Sequence, residues 1–129
     1  MAQRILVVDD EDSIRRILLL NLERAGYTVE LASDGASALT LLLQNRYDLL
    51  ISDVMMPEMD GLDLVEHVRQ DPELRDMPVI LLTAQSSESD ITRGYIRGTD
   101  VYLTKPFDPS ELLTWVKRVL EGMAAAAGV

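Results

Sequence analysis

Short apolar runs alternate along the chain with longer segments in which apolar residues recur at helical spacing. The apolar runs contain few polar residues, as expected for strands that are buried on both faces of a sheet. The sequence predicts five such strands, at residues 5–8, 27–32, 48–52, 78–82 and 101–103.

A helix is predicted after each strand. The first begins near Ser13 and stops at Gly26, and a weaker fourth helix ends near residue 97, after a polar segment at 85–90. The last begins at Asp108-Pro109-Ser110-Glu111, which supplies a cap, a first-turn proline and an early acid. Strict alternation of five strands and five helices predicts an α/β fold with a parallel sheet covered on both sides.

Composition limits what the chain does. Its 129 residues suit one domain, assigned to residues 1–121, with residues 122–129 as a tail or the start of a linker. Twelve basic and 22 acidic residues give a net charge of −10, which argues against direct binding of nucleic acid or an anionic membrane. Without cysteine, signal peptide pattern or a bilayer-spanning apolar stretch, a cytoplasmic location is expected.

Reactive polar residues stand where the predicted strands end. Asp9 and Asp10 follow the first strand, Asp53 the third, Thr83 the fourth and Lys105 the fifth. In an open parallel sheet, ligands bind beyond the carboxyl ends of the strands. Any one of these side chains would ordinarily be a helix cap or a solvated charge, but five at one edge predict a site.

The chemistry of these residues suits phosphoryl transfer. Three carboxylates are appropriate ligands for Mg²⁺, which keeps other positions for water and phosphate oxygens. A carboxylate can also act as a nucleophile and become an aspartyl phosphate, with a lysine and a hydroxyl holding the phosphoryl oxygens. The acidic run at the end of the first strand is therefore predicted to be a cation site.

The chain resembles the response regulator receiver domains of two-component signalling over residues 4–120. The resemblance rests on the motifs VVDDED, DLLISDVMMPEMDG, PVILLTA and YLTKPF. It implies a doubly wound, flavodoxin-like sheet of order 2-1-3-4-5 with five helices, and a signalling role rather than that of an enzyme. It also implies a cis bond between Lys105 and Pro106.

The resemblance further implies a role for each site residue. Asp53 would be the phosphoacceptor, and Asp9, Asp10, Asp53 and the main-chain carbonyl of Met55 would hold Mg²⁺. Thr83 and Lys105 would contact the phosphoryl oxygens, while Thr83 and Tyr102 would act as switch residues. Met55 and Gln85 would flank the hydrolytic water without acting as a base, which predicts slow loss of phosphate.

The implied partners are a histidine kinase or histidine phosphotransfer protein and a downstream effector protein or domain. The resemblance also implies that two phosphorylated copies of the chain could form a homodimer. The output face would comprise the fourth helix, fifth strand and fifth helix. The sequence lacks the charged dimer pattern of the winged-helix branch, since Val101 and Trp115 replace charged residues. An exposed apolar patch of Ile91, Ile96, Val101 and Trp115 is one interpretation, and a Trp115 that shields its neighbours is the other.

Three other functions compete with this one. A degenerate receiver that binds partners without phosphorylation would not need the complete set of acids, hydroxyl and lysine. A phosphatase of the haloacid dehalogenase type needs a second acid two residues after its nucleophile, where this chain has Met55. A flavodoxin-like electron carrier would need a phosphate-binding loop after the first strand, and none is present.

Overall fold

The computed structural model describes residues 2–83 and 98–128, with side chains described through residue 122. The described elements run in this order: β1 (Arg4–Val8), α1 (Asp12–Arg24), β2 (Thr28–Ala32), α2 (Gly35–Gln44), β3 (Leu49–Asp53), α3 (Gly61–Gln70), β4 (Val79–Thr83), β5 (Val101–Thr104) and α4 (Pro109–Gly128). The predicted fourth helix and Gln85 lie outside the described residues, so α4 corresponds to the last predicted helix.

The five strands form one parallel sheet of order β2-β1-β3-β4-β5, which confirms the predicted sheet order. β3 and β4 begin and end one residue later than predicted, so Asp53 and Thr83 are the last residues of their strands. Asp48 comes just before β3, and its carboxylate accepts a hydrogen bond from the backbone N–H of Arg4, at 2.7 Å.

Alternate strand residues pack on opposite faces of the sheet, which gives two apolar cores. Leu6, Val8, Leu50, Val79 and Leu81 pack with α2 and α3. On the other face, α1 and α4 cover the apolar residues Ile5, Val7, Leu49, Ile51, Ile80 and Leu82. This period of two explains why the central strands lack polar alternation: both faces are dry.

Helix boundaries follow local sequence signals. Asp34 caps α2 by accepting a hydrogen bond from the backbone N–H of Ser37, and Asp60 and Asp63 form a capping box at α3. After α1, Gly26 adopts a φ of 98°, which permits the chain reversal into β2. The helix α4 continues to Gly128, so the backbone of residues 122–128 is helical.

The interpretation that Val101 belongs to an exposed apolar patch is wrong. Val101 is 9% exposed and belongs to the core, because its side chain points from β5 toward the α1 and α4 face. Trp115 is half-buried against the same core, and the guanidinium carbon of Arg118 lies 5.5 Å from the centre of its ring. Ile91 and Ile96 lie outside the described residues.

No helix in the described parts of the chain is long and apolar enough to cross a membrane. His67 is exposed on α3, and Met56 is buried in the core beneath the loop that follows β3.

The guanidinium of Arg69 connects α3 to two loops. It donates hydrogen bonds to the carbonyls of Gly98 at 2.8 Å, Arg75 at 2.8 Å and Met77 at 2.5 Å, and it pairs with the Asp100 carboxylate at 2.9 Å. Five donors arranged in a rigid planar fork make this set of contacts specific to arginine.

We expect Arg69→Ala to lower the free energy of unfolding by about 2 kcal/mol, because it leaves two partly buried carbonyls, those of Gly98 and Met77, without a donor. Arg69→Lys should recover less than half of this loss, since an ammonium cannot reach all of the acceptors. Urea denaturation of both variants, with the exposed Arg46→Ala as control, measures the effect. Equal stability of the Ala and Lys variants would contradict the role of the fork.

Candidate functional site

Strand register brings the predicted site residues to one edge of the sheet. In the sheet, β3 lies between β1 and β4. Val8 lies opposite Ser52, and Asp53 lies opposite Leu82, so Asp9 and Thr83, the next residues along the neighbouring chains, flank Asp53. Lys105 follows β5, and its backbone N–H donates to the Thr83 carbonyl at 2.6 Å. The parallel sheet thus collects groups that are far apart in the sequence.

Asp9, Asp10 and Asp53 form a cluster of three carboxylates. One oxygen from each lies within 4.8 Å of the others, which is close enough for all three to coordinate one ion. Asp9 is fully buried and Asp53 is 5% exposed, whereas Asp10 is exposed. An all-oxygen donor set with an open side fits Mg²⁺.

Lys105 supplies the positive charge of the site. Its Nζ lies 2.8 Å from Oδ2 of Asp9, 3.4 Å from Oδ2 of Asp53 and 3.7 Å from Oε1 of Glu11. Burial by itself lowers the pKa of this amine, but the hydrogen bond to Asp9 and the charges of Asp53, Asp9 and Glu11 raise it above its usual value. Lys105 is therefore a fixed cation at 11% side-chain exposure.

The carboxyl of Asp53 has an altered pKa. Burial raises it from 3.8 to about 6, the charge of Asp9 adds to the increase and the charge of Lys105 opposes it. Removing a carboxylate from water and placing it beside other carboxylates both disfavour the ionised form. Ionised Asp53 is consequently a destabilised, more basic anion than an ordinary aspartate.

This pKa predicts a stability that falls as the pH rises. Between pH 3.8 and about 6 the folded protein holds a proton on Asp53 that the unfolded chain has lost, so ionisation costs up to about 3 kcal/mol at neutral pH. Without metal, Asp53→Asn should therefore be more stable than the wild type at pH 7, and the difference should shrink toward pH 4. Urea denaturation across this range measures it, and a pH-independent difference would contradict the assignment.

The loop between β3 and α3 is built around a glycine. A Cβ on Gly61 would lie 2.2 Å from the carbonyl oxygen of Asp53, so only glycine allows this approach. The Gly61 N–H donates to the Val54 carbonyl at 2.8 Å, and Glu58 within the loop has a φ of 66°. The loop is thereby held against the strand end that carries Asp53.

The remaining predicted site residues lie around this cluster. Thr83 is 2% exposed at the end of β4, and Tyr102 is half-buried against the α2 and α3 core. Met55 is 68% exposed, two residues beyond Asp53. The Lys105–Pro106 bond is cis, as expected from the resemblance.

Sequence reasoning did not assign two residues that the structure places at the site. Glu11 is a partner of Lys105, and the acidic run at residues 9–12 was the signal for it. Arg15 donates a hydrogen bond from Nη1 to the Asp9 carbonyl at 2.6 Å. Nothing in the local sequence distinguishes Arg15 from its neighbour Arg16.

A family model described as "Response regulator receiver domain" matches residues 5–117. The chain belongs to the response regulator receiver domain family. The match includes every candidate residue of the site, from Asp9 to Lys105, and covers most of the chain.

Two curated relatives are transcriptional regulatory proteins. The receiver domain is 43% identical over 127 residues to the alkaline phosphatase synthesis transcriptional regulatory protein PhoP of Bacillus subtilis, covering 98% of this chain and 52% of that protein. It is 41% identical over 120 residues to SrrA of Staphylococcus aureus, covering 93% and 48%. The chain thus spans about half the length of these relatives.

Solved structures show the same fold over nearly their whole length. The chemotaxis protein CheY4 of Vibrio cholerae has a TM-score of 0.88 at 39% identity, covering 92% of this chain and 99% of that one. A putative response regulator from Chloroflexus aurantiacus has a TM-score of 0.90 at 40% identity, covering 94% and 99%. The chain is therefore a receiver domain of two-component signalling in both sequence and fold.

Proposed function

We propose that this receiver domain is a cytoplasmic phosphoacceptor, with residues 1–121 as its domain and residues 122–129 as an extension. Asp53 takes a phosphoryl group from a histidine kinase or a histidine phosphotransfer protein. The observation that supports this most directly is the placement of Asp53: a nearly buried, raised-pKa carboxylate between two other acids and the Lys105 ammonium.

The transfer is a displacement at phosphorus. A carboxylate oxygen of Asp53 forms the new P–O bond while the bond from phosphorus to the donor's imidazole nitrogen breaks, and the imidazole leaves with the electron pair. The pKa of about 6 leaves Asp53 mostly ionised at neutral pH while increasing its basicity. Mg²⁺, held by Asp9, Asp10, Asp53 and the Met55 carbonyl, would supply positive charge for the phosphoryl oxygens.

Two further residues would hold the phosphoryl group. The Lys105 ammonium lies 3.4 Å from Asp53, and Thr83 is the last residue of β4, the strand beside β3. With these donors beside Asp53, the domain itself would promote both its phosphorylation and its dephosphorylation. The exposed thioether of Met55 offers no base for water, which supports slow dephosphorylation.

The proposed output is a change in partner binding. Thr83 and Tyr102 lie on adjacent strands at positions from which a phosphoryl group at Asp53 could be sensed. The responding face comprises the predicted fourth helix, β5 and α4. Its partners are a downstream effector protein or domain, and a second copy of the phosphorylated chain.

Intact mass spectrometry tests the proposal. The purified domain is incubated with a small acyl phosphate, with Mg²⁺ or with a chelator. We expect the mass to increase by one phosphoryl group only with Mg²⁺. A domain that gains no mass at saturating Mg²⁺ and donor would instead be a binding module that works without phosphorylation.

A further inference from the structure

The peptide bond between Asp9 and Asp10 connects two candidate metal ligands, so its orientation governs where both carboxylates lie. The Asp9 N–H donates to the Ala32 carbonyl at 3.2 Å, which fixes the chain before this peptide. The carbonyl of the peptide itself accepts the hydrogen bond from Nη1 of Arg15 at 2.6 Å. That contact fixes the orientation of the peptide plane between the two residues.

Both the backbone and the side chain of Arg15 are held in place. Its backbone N–H donates to the Glu11 carbonyl at 3.2 Å, its Nη2 pairs with Asp12 at 3.2 Å, and its side chain is only 17% exposed. A cation in the first turns of a helix opposes the helix dipole, so helix stability alone does not explain an arginine here. The contact with the Asp9 carbonyl gives it a specific role.

We infer that Arg15 is a positioning residue that sets the Asp9–Asp10 peptide for binding of a divalent cation. The inference rests on the proposed function, because it assumes that these carboxylates hold the metal. Residues that hydrogen-bond to metal ligands and orient them typically increase the affinity for the metal 10- to 100-fold. Arg15 thus increases Mg²⁺ affinity even though its positive charge repels the ion.

Arg16 provides a matched control. It also pairs with Asp12, through Oδ2 at 2.9 Å, but its side chain is 78% exposed. Arg15→Ala and Arg16→Ala remove the same charge and a contact to the same acid. Only Arg15→Ala removes a hydrogen bond to the peptide between the two ligands, so the difference between the variants isolates positioning from electrostatics.

Isothermal titration with Mg²⁺ alone tests the inference. We expect Arg15→Ala to raise the Kd about tenfold relative to Arg16→Ala, and Arg15→Lys, which keeps one donor and the charge, to give an intermediate value. The Mg²⁺ concentration for half-maximal phosphorylation should rise in parallel, while the rate at saturating Mg²⁺ stays close to that of Arg16→Ala. If Arg15→Ala does not fold, Arg15→Lys against Arg16→Lys carries the comparison.

Equal Kd values for the Arg15 and Arg16 variants, with normal wild-type binding, would overturn the positioning role and leave the proposed function intact. Absence of saturable Mg²⁺ binding by the wild type would overturn the metal site and the inference with it. Asp10→Asn, which removes a direct ligand, serves as the reference for weakened binding.

Discussion

Asp53→Asn is expected to abolish the Mg²⁺-dependent gain of one phosphoryl group. The amide has nearly the same shape as the carboxylate but is a far weaker nucleophile, so no P–O bond forms. Of the acids at the site, Asp53 alone ends a central strand and is closely packed by the Gly61 loop. Intact mass after incubation with a small acyl phosphate measures the loss directly.

Two controls separate the acceptor role from other effects of lost charge. Asp48→Asn makes the same change just before β3, at the opposite end of the strand, and should be phosphorylated like the wild type. Asp10→Asn should still be phosphorylated, but only at higher Mg²⁺ concentration. Labelling of Asp53→Asn to the wild-type extent would show that another residue is the acceptor.

Lys105→Ala is expected to lower the free energy of unfolding by about 3 kcal/mol without metal, because it leaves a buried acid without its cation. Asp9 is fully buried and would lose its 2.8 Å contact with the ammonium. Saturating Mg²⁺ should recover part of the loss, since a bound cation offsets the same carboxylates. Urea denaturation with and without Mg²⁺ measures both effects.

The same variant should separate phosphorylation from the conformational response. Lys105 joins the end of β5 to the acceptor, so its removal breaks that link while Asp53 remains available as nucleophile. The fluorescence of Trp115, the single tryptophan, reports on the α4 side of the output face. We expect mass gain without the wild-type fluorescence change, whereas Lys117→Ala, an exposed lysine on α4, should respond normally.

Asp53→Asn and Lys105→Ala should thus shift stability in opposite directions in the metal-free domain. The first removes a carboxylate whose ionisation is disfavoured, and the second removes the cation that partly offsets it. In the absence of metal, the closely spaced carboxylates of the site repel each other and lower the stability of the folded domain. A stability that increases in both variants would contradict this account of the site.

The sequence by itself determined the order of the described elements and the composition of the site. Runs of apolar residues without alternation identified strands covered on both faces, and Asp108 and the residues after it identified the start of the last helix. These signals are local, because caps, turns and periodicity depend on residues a few positions apart. Parallel strands then place their carboxyl ends together, so Asp9, Asp53 and Lys105 could be assigned to one edge.

Only the tertiary structure decided how strongly the site residues act on each other and which neighbours support them. Lys105 contacts Asp9 across 96 positions of sequence, and burial beside Asp9 raises the pKa of Asp53 to about 6. Arg15 and Arg16 are equivalent in the sequence, yet only Arg15 reaches the Asp9 carbonyl. Val101, which one of two interpretations placed in an exposed patch, lies in the core. Such differences depend on distances and burial set by long-range packing, which a local pattern does not contain.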